Sequence, residues 1–79
     1  MTKEDLIIAI EEAISKQTPV HIYRKINDAK TLWYSCFRID STTEDFSAIE
    51  GVEFEQRSLK KPMITPLSTA TIFEIELLS

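Results

Sequence analysis

Three patterns in the chain predict an α+β fold, with one N-terminal helix packed on a four- to five-stranded antiparallel sheet that is either open or curled into a partial small barrel. Apolar residues recur at helical spacing up to Lys16, polar and apolar residues alternate in several later stretches, and Thr31–Ile39 holds the only tryptophan and the only cysteine. Period two in that last stretch sends Trp33, Ser35, Phe37 and Ile39 to one side and Leu32, Tyr34, Cys36 and Arg38 to the other. Neither side is polar, which predicts a central strand with Cys36 and Phe37 buried.

A chain of 79 residues is expected to form a single domain, residues 1–79, because domains commonly run to roughly 100–200 residues. So small a domain buries only about 60% of its unfolded surface, and disulfides, metals or self-association commonly supplement the core. One cysteine excludes an internal disulfide, and Cys36 with His21 is too few ligands for structural zinc. A homo-oligomer is the remaining route. Nine basic against thirteen acidic side chains give a net charge of −4, which disfavours wrapping a phosphate backbone. Met1–Ser15 lacks the uncharged core of a signal peptide and the apolar length of a membrane span, so a cytoplasmic protein with no membrane attachment is expected.

The helix is predicted over about 3–16. Thr2 and Asp5 are spaced as a capping box, and Glu4 and Asp5 suit the positive end of the helix dipole. Leu6, Ile7, Ala9, Ile10, Ala13 and Ile14 fall in an arc of about 160° that faces the core, leaving Ile8 among the polar residues. Pro19 stops the helix. Val20, Ile22 and Ile26 alternate with His21, Tyr23 and Lys25, predicting a strand over about 19–26, joined through the turn Asn27–Lys30 to a second over about 31–39. Ser41 and Glu44 read as a second capping box, so a short helical turn is expected over Thr42–Glu50 with Phe46 and Ile49 as anchors and Gly51 at its end. A third strand is predicted over about 52–58 with Val52 and Phe54 inward, and a turn over Leu59–Pro62. The last strand, about 69–78, turns Phe73, Ile75 and Leu77 inward against Glu74 and Glu76; its β-branched residues outweigh a helix started at Thr65-Pro66.

A single glycine rules out glycine-rich phosphate loops. His21 and Cys36 fall on neighbouring predicted strands, a Cys–His pair on paper, but a cysteine on a central strand behaves as a small buried hydrophobe and His21 alternates outward. The carboxylates lack the apolar surroundings that tune an acid catalyst and the loop spacing that holds calcium. No catalytic, cofactor or metal role is assigned, and the chain is expected not to be an enzyme.

Charge is segregated instead. Asp40, Glu44, Asp45, Glu50, Glu53 and Glu55 form a run without an intervening basic residue. They predict an acidic face by which a small regulator or inhibitor binds a partner protein. Tyr23, Arg24, Lys25, Lys30 and Tyr34 interleave cations with aromatic rings, the combination with which single-stranded RNA or nucleotide binders stack bases and contact phosphate; this is the alternative function.

The stretch Gln17-Thr-Pro-Val-His-Ile-Tyr23, following one helix, resembles the opening of bacterial Sm-like RNA chaperones and more loosely the start of WYL-type ligand-sensing domains. The resemblance implies a helix capping a small, strongly bent antiparallel sheet. Later stretches lack the glycines and the uridine-pocket motif of the Sm-like family, so none of its RNA-binding residues carries over.

Overall fold

In a computed structural model, which describes residues 1–54, 63–68 (backbone) and 71–78, one helix and five strands follow in the order α1 (Lys3–Lys16), β1 (Val20–Ile26), β2 (Ala29–Thr42), β3 (Ala48–Glu53), β4 (Met63–Ser68) and β5 (Glu74–Leu77). The strands form one antiparallel sheet in the order β4-β3-β2-β1-β5. It does not close into a barrel, since β4 and β5 are separate edges.

Helix α1 begins as its sequence dictates. The Asp5 N–H donates to the Thr2 hydroxyl at 3.1 Å and the Thr2 N–H donates to the Asp5 carboxylate at 3.3 Å, so two otherwise orphaned donors are satisfied reciprocally. It ends with Gln17 in the left-handed conformation, φ 52°. Leu6, Ala9, Ile10 and Ala13 pack into one cluster with Val20 and Ile22 of β1, Cys36 and Ile39 of β2, Ile49 of β3, and Ile72 and Ile75 at the chain's end. Ile8 stays 63% exposed, as its place on the polar side of the helix predicts.

Strand β2 occupies the centre of the sheet and is longer than the predicted 31–39. Trp33 has no opposite residue on β1, and Phe37 and Asp40 have none on β3. Three bulges therefore interrupt one strand, each adding a residue, bending the chain and resetting the alternation of faces. The predicted division of β2 into two sides fails for this reason. Trp33 and Tyr34, adjacent in sequence, both pack partly buried against the core cluster, while Phe37, expected to be buried, is 36% exposed.

The remaining differences are local. The β1–β2 connection is the two-residue turn Asn27-Asp28, not a four-residue loop; both residues have positive φ, 49° and 62°, as a type I′ turn requires. Thr42–Glu50 is not helical. β2 runs on to Thr42, residues 43–47 form a hairpin loop, and β3 starts at Ala48. Ile49 is buried as expected, but Phe46 reaches the core from that loop with φ 57°. Gly51, expected to end a helical turn, lies within β3. Phe54, expected inward after Val52, is 41% exposed; the rest of the predicted 52–58 strand and the turn at 59–62 lie outside the described residues. Strand β4 was not anticipated, and its Pro66 sits where proline is tolerated, on an edge. Of the predicted strand 69–78, Glu74–Leu77 forms β5, with Ile75 buried and Leu77 packed on the core, and no helix spans 66–77. Phe73 lies instead beneath Lys25, and residues 69 and 70 are outside the described part.

Candidate functional site

The predicted acidic residues gather on the β2–β3 hairpin, but the fold uses some of them internally. The Arg38 Nε donates to an Asp40 carboxylate oxygen at 2.6 Å, both side chains about a third exposed. Asp45 turns into its own loop, which is organised by the Thr43 hydroxyl: this oxygen accepts from the N–H groups of Ser47 and Ala48 at 2.9 and 3.1 Å and donates to Asp45 at 3.0 Å. Hydrogen bonds to the Asp45 carboxylate, from the Ser47 hydroxyl first and then from Thr43, hold its pKa below the usual value. Glu50 accepts from the Ser41 hydroxyl across the hairpin at 3.4 Å and is otherwise exposed. Glu44 is exposed at the loop. Glu53 is opposite Cys36 in the register, and Glu55 lies outside the described residues.

Sequence reasoning missed the apolar part of this hairpin. Phe37 and Phe54 meet edge to face with ring centroids 5.6 Å apart, both exposed by more than a third of their surface. The bulge at Phe37 puts them there, and the Phe54 N–H is fixed by the Ser35 carbonyl at 2.9 Å. An alternation pattern cannot report a bulge, so no signal in the letters marked the pair.

The predicted basic, aromatic set lies on the β1–β2 hairpin and beside β5. Its cations are held over rings: Arg24 at 5.2 Å from the Trp33 centroid, Lys25 at 5.4 Å from Phe73 and Lys30 at 4.4 Å from Tyr23. Lys30 also donates to Glu74 at 2.9 Å, the main cause of its raised pKa. Tyr23 lies amid polar neighbours, its hydroxyl donating to Glu76 at 3.1 Å and lying 3.3 Å from His21 Nδ1. Desolvation, and then the bond to Glu76, raises its pKa. Tyr34 packs partly against the core and against Trp33, at 5.4 Å, so it does not join Tyr23 as a second open stacking platform.

The paper Cys–His pair is not assembled. His21 is paired with Ser35 and Glu76 in the register, Cys36 with Val20 and Glu53, so the two alternate to opposite sides of the sheet. Cys36 is buried at 5% exposure, and burial, with a smaller contribution from Glu53, pushes its thiol up to about 12. Such a group is neither nucleophile nor ligand at neutral pH. Among the described residues no three His, Cys, Asp or Glu side chains are grouped to hold a metal ion, and no helix is long and apolar enough to cross a membrane. Compared with protein families, curated proteins and solved structures, the chain matches none.

Proposed function

We propose that the protein is a small non-enzymatic binding module, a regulator or inhibitor that docks a partner protein on its β2–β3 hairpin. The observation that carries this reading is the exposed Phe37–Phe54 pair on the same hairpin as the exposed carboxylates of Glu44 and Glu50. Exposed aromatic anchors supply most of the affinity of a protein interface, while charge around them sets register and encounter rate. A partner matching it presents a basic surface with an apolar pocket.

The test is quantitative capture from the native host by immobilised protein, comparing the wild type with Phe37→Ser, with Glu44→Lys/Glu50→Lys, and with Glu4→Lys/Glu11→Lys on the helix. Loss of the same captured protein in the first two variants and its retention in the third is the expected result. Identical capture by all four overturns the reading.

The alternative, a single-stranded RNA or nucleotide binder, is supported by the cation–aromatic pairs of the β1–β2 hairpin. It predicts quenching of Trp33 fluorescence by an oligonucleotide at low salt, absent in Arg24→Ala/Lys25→Ala.

A further inference from the structure

The long strand β2 joins two hairpins of opposite charge. Toward its start, β5 stops pairing with β1 at Tyr23–Glu74, so the β1–β2 hairpin continues beyond it as a two-stranded ribbon whose residues 24–30 are all exposed. This ribbon carries Arg24, Lys25 and Lys30 against the single carboxylate of Asp28, and it exposes Ile26 and Leu32. Lys30 is bound to Glu74. Among the described residues, Arg24 and Lys25 rest on ring faces and neither side chain donates a hydrogen bond. A cation resting on a ring keeps its N–H donors while its position is fixed, so less side-chain freedom is lost when it meets a carboxylate.

At the other end of β2 stand Glu44 and Glu50, and the exposed Phe37–Phe54 pair lies on the same hairpin beside the middle of the strand, where the Phe54 N–H meets the Ser35 carbonyl. The two hairpins are complementary in both respects that matter for association, charge against charge and exposed apolar residue against exposed apolar residue. Arg24 and Lys25 lie opposite Thr31 and Lys30 at the start of β2 and Glu50 lies opposite Ser41 near its end, so the charges do not meet within one chain. A second copy offers each hairpin what it lacks.

We propose that the basic β1–β2 ribbon of one copy docks on the acidic β2–β3 hairpin of a second copy, forming a head-to-tail assembly. The proposal rests on the reading of the β2–β3 hairpin as a docking surface and names its partner. Because the two patches differ, the contact is heterologous and repeats until a ring closes or a short filament grows. Its charges are exposed, so salt weakens it.

The experiment is the solution mass by sedimentation equilibrium at about 0.05 M and about 0.5 M salt, conditions on either side of effective screening. The wild type is expected above monomer mass at low salt and at monomer mass at high salt. Two variants, Arg24→Glu/Lys25→Glu and Glu44→Lys/Glu50→Lys, each checked for native circular dichroism and thermal midpoint, are expected to be monomeric alone and to assemble when mixed, since each then presents the charge the other needs. A wild type that is monomeric at low salt overturns the proposal, as does a mixture that stays monomeric. If the wild type is monomeric while host-protein capture still depends on Glu44 and Glu50, only the self-docking inference fails; if capture is also indifferent to them, the reading beneath it fails too.

Discussion

Gly51 of β3 lies so close to Arg38 of β2 that a Cβ on the glycine would overlap the Arg38 carbonyl oxygen. The chain's one glycine is thus required by proximity, not by its φ, which is negative. The approach occurs where the bulges at Phe37 and Asp40 flank the Arg38–Val52 and Ile39–Gly51 pairs.

Gly51→Ala is therefore expected to force the two backbones apart and to destabilise by about 2 kcal/mol, as overpacking does, lowering the thermal midpoint by about 10 °C. Differential scanning calorimetry measures it. A midpoint equal to the wild type's would mean that β2 and β3 are not in contact at this point.

Asp28 sits at φ 62° in the type I′ turn, where a side chain costs about 1 kcal/mol relative to glycine. Asp28→Gly is expected to raise the urea midpoint by a corresponding amount with an unchanged slope. A lower midpoint would count against the turn type.

Cys36, with its thiol at about 12, is expected to resist alkylation at pH 8 until the protein unfolds, and Cys36→Ser to cost about 1–3 kcal/mol by burying a hydroxyl. Because its pKa is raised on folding, its contribution is complete below the unfolded thiol's range and is lost as pH rises toward 12. Alkylation of the native protein at the rate of a free thiol would refute the burial.

Asp45 has the opposite sign. Its pKa is lowered on folding, so its contribution is present above the ordinary carboxylate range and disappears as pH falls through its depressed value. The stability difference between wild type and Asp45→Ala, read from urea midpoints at neutral pH and in acid, is expected to shrink in acid. A constant difference would remove the carboxylate from the loop's network.

The legible parts of the fold are those where one periodicity runs uninterrupted. Helix α1 keeps its apolar stripe and its cap, and Val20 and Ile22 alternate with His21 and Tyr23, so both elements follow from the letters. Strand β2 hides its geometry because Trp33, Phe37 and Asp40 are extra residues, and extra residues look in sequence like ordinary members of an alternation. Strand β4 escaped because Pro66 reads as a breaker unless the strand is known to be an edge. The acidic residues were identifiable as a set, but the Arg38 bond that neutralises Asp40 and the hydroxyls that hold Asp45 depend on bulges and a loop that only three dimensions reveal.

The pairing of β5 with β1 has a consequence for how the molecule assembles. Every other strand joins its sequence neighbour, whereas the Tyr23–Glu74 and Val20–Leu77 pairs close about fifty residues of chain, at an entropic cost of about 3.5 kcal/mol beyond a constant. Strand β5 should then be the last element acquired in folding and the first surrendered in local opening. In native-state hydrogen exchange, the amide of Leu78, which donates to the Pro19 carbonyl, and that of Glu76, which faces β1 in the same way two residues before it, would lose protection before those at the centre of β2.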